Sequence, residues 1–235
     1  KIAAMTVFSQ IRAVSLREQV AEQIRTAIIE GRLRANDHII EASLTEQLGV
    51  SRTPVREALI LLEREALVVS LPNRGCFVRA FTVDDVRALF SMRVTLENFA
   101  GELIIDRLNS ADYERLHMLM EQQQFYIQQA DFKQVRSTDM AFHQYLINRS
   151  EHPLLMRNWQ EIVAQVAAVL YVRAEGHPNY DEMQAINDHR RILEAYQAHD
   201  LERLKAENRR INLRVQEECA RAIENIPAAE GKIKR

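Results

Sequence analysis

The apolar positions of this chain fall into helical stripes for most of its length, with one short interruption. Leu16, Val20, Ile24 and Ile28 share a stripe, Ser15 and Glu18 stand before it at capping-box spacing, and Gly31 supplies a stop, which predicts a first helix. A second helix of barely two turns is expected, with Ser43 and Glu46 as its box, Leu44 and Leu48 as its buried pair and Gly49 as terminator. After a three-residue turn, Pro54 stands where a first helical turn tolerates it, and Val55, Ala58, Leu59 and Leu62 follow the i, i+3, i+4, i+7 pattern of a third helix. Leu67 to Leu71, then Pro72-Asn73-Arg74-Gly75, then Cys76-Phe77-Val78 read as a small hairpin with a basic tip. Beyond Thr82 strand signals cease, and periodicity predicts six helices at about 83–107, 110–129, 131–149, 153–174, 181–198 and 200–223.

The expected fold class is therefore mainly α. A winged helix-turn-helix occupies residues 1–80, an all-α antiparallel bundle of six helices occupies residues 81–225, and residues 226–235 form a loose tail. Composition agrees: 235 residues, 47% hydrophobic and 27% charged with only 6 Gly and 5 Pro, exclude fibrous and disordered classes. The longest uncharged apolar stretch, Ile162 to Val172, is far shorter than the roughly 20 residues of a membrane span. Net charge is −2, but 11 of the 31 basic and only 9 of the 33 acidic residues lie at or before Ala80, so the N-terminal third is mildly basic. Cys76 and Cys219 lie far apart behind no secretory leader, which predicts a reducing, cytoplasmic setting.

Two short helices joined by a Gly-containing turn, the second basic near its start, meet the physical requirements of major-groove reading. With Val55, Ala58, Leu59 and Leu62 turned inward, Arg52 and Arg56 leave one face together beside Ser51 and Thr53. Guanidinium forks suit guanine O6 and N7, and hydroxyls suit phosphates. Asn73, Arg74 and Gly75 at the hairpin tip could meet an adjacent minor groove or phosphate. For the arginines alone, a solvated helix face is the plainer reading. The whole stretch Gly49-Val50-Ser51-Arg52-Thr53-Pro54-Val55-Arg56-Glu57-Ala58-Leu59, with Leu62-Glu63 and the Pro72-Asn73-Arg74-Gly75 hairpin, closely resembles the winged helix-turn-helix of GntR-family bacterial transcription regulators.

That resemblance runs from roughly Ser15 to Val78 and implies base or phosphate contact by Ser51, Arg52, Thr53 and Arg56 and groove contact by Gly75. It departs from the family in turns: Asn36-Asp37 replaces the usual Pro-Gly, and Glu65-Ala66-Leu67 replaces Glu-Gly-Leu. Ala42 stands where some relatives carry a DNA-contacting arginine. One wing and one helix cover few base pairs, so a homodimer on a two-fold symmetric double-stranded operator is expected.

In the predicted bundle, Asp139 and His143 are four apart and His189 lies on another helix, the arrangement from which bundle metal sites are built. An ordinary polar pair and a structural histidine are the alternatives. The stretch from about Val83 to Val215 resembles the FCD effector domain of the FadR subfamily, through Arg93-Val94-Thr95-Leu96-Glu97, Asp139-Met140-Ala141-Phe142-His143, Pro153-Leu154-Leu155 and His189-Arg190-Arg191-Ile192-Leu193-Glu194-Ala195 with Asp200. Six helices bring it closer to the VanR-like branch. The resemblance implies a divalent ion held by one Asp and three His. Asp139, His143 and His189 match three of these, and the fourth position falls at Ile211, flanked by Asn208 and Asn212. Three ligands and waters can hold zinc, nickel or manganese with positions open to an effector carboxylate, or the site has become a metal-free pocket.

The resemblance also places Arg93 near the pocket, where its fork would suit a small carboxylate metabolite; a helix-surface pair with Glu97 is the equal alternative. The chain thus reads as a transcription regulator, a repressor, rather than an enzyme. A metal-dependent hydrolase with an accessory winged helix and a constitutive DNA-binding dimer are the competing readings.

Overall fold

The computed structural model describes residues 15–176 and 181–225; the expected tail at 226–235 lies outside the described residues. The N-terminal part runs α1 (Leu16–Ile29), β1 (His38–Ile39), α2 (Glu41–Leu48), α3 (Arg52–Arg64), β2 (Val68–Leu71) and β3 (Gly75–Val78). α1 starts on the expected box, with Ser15 Oγ accepting from the Glu18 N–H and the Glu18 carboxylate accepting from the Ser15 N–H. Val55, Ala58, Leu59 and Leu62 of α3 close a core with Val20, Ile24 and Ile28 of α1 and with Leu67, Val68 and Val78 around the hairpin.

Three local expectations need correction. The hairpin is the larger part of a three-stranded antiparallel sheet in the order β1-β3-β2, with His38 opposite Phe77 and Val68 opposite Val78. β1 is only two residues long, too short to carry a period of its own, and it exists because β3 offers a free edge. It also moves the start of α2. Ile40 follows β1 in extended conformation and becomes the N-cap without a side-chain hydrogen bond, so Ser43 lies inside the helix, where its Oγ accepts from Gln47 Nε2 at 2.8 Å. Leu44 and Leu48, expected as a buried pair, are only half-buried.

The bundle consists of α4 (Val83–Ile104), α5 (Ser110–Gln128), α6 (Phe132–Arg149), α7 (Pro153–Gly176), α8 (Met183–Gln197) and α9 (Leu201–Glu224), each close to its predicted span. Thr82, Asn109, Asp131 and Asp200 cap four of these helices by accepting from backbone N–H groups of the first turn. α4 lies against α9, α7 and α6, and Phe90, Leu116, Phe142, Val169, Leu193, Tyr196 and Leu204 fill the space between. Cys76 and Cys219 are buried free thiols, pushed up to about 11 and about 12 chiefly by burial. Among the described residues, no helix is long and apolar enough to cross a membrane.

α7 contributes to three cores, its Leu155 and Trp159 packing with Leu96, Ala100 and Ile147 of α4 and α6. Val166, Val169 and Leu170 pack inside the bundle, whereas Ala164 and Ala168 are buried against the winged helix. Their methyl groups let the two surfaces approach closely. Gly31, just past the end of α1 with φ +69°, lies directly under the Tyr171 ring: a Cβ at Gly31 would be 1.9 Å from Tyr171 Cζ. Ion pairs Glu30–Lys133 and Arg79–Asp85, both 2.6 Å, flank this junction.

The substituted turns have a measurable consequence. Asn36 takes φ +70° and Ala66 takes φ +53°. Asparagine tolerates that region, but alanine is disfavoured there by about 1–2 kcal/mol. Allowing for the greater freedom of an unfolded glycine, Ala66→Gly is expected to stabilise the protein by about 0.5–1 kcal/mol. Urea denaturation checks this, and a lower midpoint would contradict it.

Candidate functional site

The first turn of α3 emerges from the turn after Gly49 with Ser51 as N-cap, and Ser51, Arg52, Thr53 and Arg56 are all exposed on the side away from the core. These four sequence-predicted residues thus share one accessible surface. Their electrostatics differ. Arg56 Nε donates to Glu41 Oε2 of α2 at 2.8 Å, while Arg52 makes no ion pair among the described residues. Ile60, one further turn along the same line of four-residue spacing, is also exposed. Its apolar character concealed it among the core positions of the sequence.

At the wing tip, Arg74 is exposed between Asn73 at φ +58° and Gly75 at φ +94°. A Cβ on Gly75 would stand 2.6 Å from His38 Nε2, and the His38 ring stacks on Phe77 with centroids 4.7 Å apart. Gly75 is therefore required by the wing's own geometry, whatever lies in front of it.

In the bundle, α6 and α8 bring Asp139, His143 and His189 together. His189 Nε2 is 3.3 Å from Asp139 Oδ1 and 3.4 Å from His143 Nε2, and one ligand atom from each residue lies within 4.8 Å of the others. An ion about 2.0–2.1 Å from tetrahedral ligands spans edges of about 3.3–3.4 Å, so the two short separations suit a bound cation. Phe142 supports the His189 ring by stacking at 3.9 Å.

Glu97 orients the group from α4. Its carboxylate accepts from His143 Nδ1 at 2.9 Å, Arg93 Nε at 2.9 Å and Asn212 Nδ2 at 2.8 Å. Burial pushes the Glu97 carboxyl up, but the Arg93 guanidinium and then His143 outweigh it and hold it at about 2. An ionised Glu97 accepts a hydrogen bond from His143 Nδ1, which turns Nε2 towards His189 and favours the tautomer whose Nε2 can serve as a ligand. Burial likewise pushes Asp139 up, and His189 beside it more than reverses the effect, so Asp139 is ionised. Burial also disfavours charge on His189, against the pull of Asp139, and lowers it. An ionised carboxylate beside a His189 imidazole biased towards its neutral form suits the protonation states that metal ligands require. His189 Nδ1 is buried and has no hydrogen-bond partner among the described residues.

The three residues line a cavity of about 40 Å³ that also touches Arg93, Arg173, Asp188, Ile211 and Arg214. Ile211, at the anticipated fourth-ligand position, presents an apolar wall there. Arg93 belongs to the cavity and to the Glu97 pair at once, but the pair is deeply buried, not on the helix surface. The arginines form a network that sequence reasoning missed: Arg173 and Arg214 both reach Glu218, at 3.2 and 3.0 Å, and Arg214 and Arg210 both reach Asp188. Asp188 next to His189 was the one available signal. A larger hollow of about 390 Å³ lies between α1, β1 and α2, but its lining is mostly apolar and brings no titratable cluster together.

Comparison with known proteins bears on the family and the fold. Residues 16–78 match the family described as "Bacterial regulatory proteins, gntR family", and residues 88–212 match the FCD domain. The HTH-type transcriptional regulator YdhC of Bacillus subtilis (strain 168) is 28% identical over 178 residues, covering 75% of this chain and 78% of that protein. The gluconate operon transcriptional repressor of Bacillus licheniformis is 25% identical over 180 residues, covering 74% and 72%. The solved structure of McbR/YncC from E. coli superposes with a TM-score of 0.74 at 25% identity, over 88% of this chain and 99% of that one.

Breaking the buried pair tests its role. Glu97→Gln leaves the Arg93 charge uncompensated and should cost about 3–5 kcal/mol in urea denaturation, whereas Arg93→Gln with Glu97→Gln should recover most of that loss. A double variant as unstable as the sum of its singles would show that the two do not act as a unit.

Proposed function

The chain belongs to the gntR family of bacterial regulatory proteins and carries an FCD domain, and from that membership we propose that this transcription regulator is a repressor controlled by a small organic acid. Residues 1–80 serve DNA binding and residues 81–225 serve dimerisation and effector binding. The protein acts as a homodimer on a two-fold symmetric operator, each subunit presenting one α3 to the major groove. The relatives are transcriptional regulators, which sets the hydrolase reading aside.

The observation that carries the DNA-binding surface is the exposed first turn of α3 over an inner face sealed into the core. Arg52 and Arg56 approach bases or phosphates, Ser51 and Thr53 offer hydroxyls to phosphates, and Arg74 and Gly75 carry the wing to the neighbouring groove. Arg52→Ala should weaken operator binding by roughly 1–3 kcal/mol if the guanidinium is bidentate to guanine. Fluorescence anisotropy on a selected operator measures it, and unchanged affinity would remove Arg52 from this surface.

The effector reading rests on the convergence of Asp139, His143 and His189 inside an arginine-lined cavity. Two imidazole nitrogens and a carboxylate oxygen suit zinc, nickel or manganese. When bound, such an ion would offer open positions to a carboxylate, and Arg93 would supply opposite charge beside it. Elemental mass spectrometry on untagged protein should find about one ion per subunit, removed by chelator and absent from His143→Ala, as a three-ligand site with open positions requires. No ion after loading with all three metals would leave the residues as polar lining of a metal-free pocket.

A further inference from the structure

The cavity is too small for the role just assigned to it. At about 40 Å³ it has room for roughly three waters, against the ~300–1,000 Å³ of ordinary small-molecule sites. An ion together with an organic acid must therefore displace a wall. Resting on that effector reading, we infer that the wall that yields is the C-terminal half of α7, and that its shift lifts the Tyr171 ring off Gly31 and loosens the winged helix from the bundle.

Four of the wall helices are tied to one another by buried polar contacts. Glu97 binds α4 to α6 through His143 and to α9 through Asn212, while Asp188 binds α8 to α9 through Arg210 and Arg214. α7 meets the bundle here largely through the apolar side chains Val166, Val169 and Leu170, with the Arg173–Glu218 pair at its end. Apolar packing of this kind permits small sliding movements, and the one buried charge on this stretch, Arg173, has a long side chain that can follow Glu218 as the helix shifts.

α7 also carries any movement outward. Leu170 lines the cavity and Tyr171, the next residue, covers Gly31. Ala168 and Ala164, about one and two turns earlier, are buried in the core that holds α1 and α3. A displacement that makes room beside Leu170 therefore moves Tyr171 and both alanines, and α1 passes the change to α3. In a dimer this alters the angle at which two recognition helices meet their half-sites, which is sufficient to change operator affinity.

A permanent occupant can replace the unidentified effector. Val215→Phe on α9 adds volume to the cavity in the full-length protein, and hydrogen exchange of residues 27–40, which include the Gly31 N–H to Ile28 C=O and Leu33 N–H to Ala27 C=O bonds, reads the junction. Exchange there should accelerate roughly five-fold or more, with protection of α4 and α9 retained. Tyr171→Ala should do the same with the cavity unchanged, and the double variant should exceed neither single, because both act on one contact. Wild-type exchange at 27–40 in Val215→Phe, or multiplied effects in the double, would overturn the inference. If Val215→Phe unfolds the bundle, Ala185→Val, which adds less volume to the same cavity, is read by the same criteria. None of these variants needs a ligand, so an effector reading that fails in elemental analysis is distinguishable from a coupling that fails here.

Discussion

The centre of the bundle depends on a carboxylate that keeps its charge away from water. Glu97 carries three donors from three helices, and without it the buried Arg93 would lose the carboxylate it is paired with. The same contacts determine which nitrogen of His143 faces the cavity, so the electrostatics that hold α4, α6 and α9 in register also prepare the candidate metal ligands. Stability and binding geometry are here one set of hydrogen bonds.

Much of this architecture was legible in the sequence because helices announce themselves locally. Capping at Ser15, the stripe of Val55, Ala58, Leu59 and Leu62, and the breaks before Thr82 and Asp200 each lie within a few residues of what they control. The misses share a different cause. β1 owes its existence to a strand far along the chain, and once formed it overrides the Ser43–Glu46 capping signal. Leu44 looks like a core residue in any window, yet its burial depends on how much of α2 is covered.

The candidate site divides in the same way. Asp139 and His143 are visible as one helical face, His189 as a partner on a second helix, and family resemblance adds Arg93. Glu97, by contrast, is in sequence only an i+4 partner of an arginine. Its contact with His143 and Asn212 follows from how α4 packs on α6 and α9, information that no local spacing holds. The cavity's arginine network is likewise assembled from α7, α8 and α9, and charged residues on long helices ordinarily read as solvated faces.

The Arg56–Glu41 pair would give the two exposed arginines in the first turns of α3 different thermodynamic roles on DNA. A cation already neutralised by its own protein displaces fewer condensed counterions when it reaches a phosphate, because it must first give up its carboxylate. Arg52 would add its full share to the salt dependence of DNA binding and Arg56 only part of one. On that reading Glu41 would act as an internal competitor for the backbone, tempering indiscriminate attraction to any duplex while leaving the contacts that recognise a particular sequence.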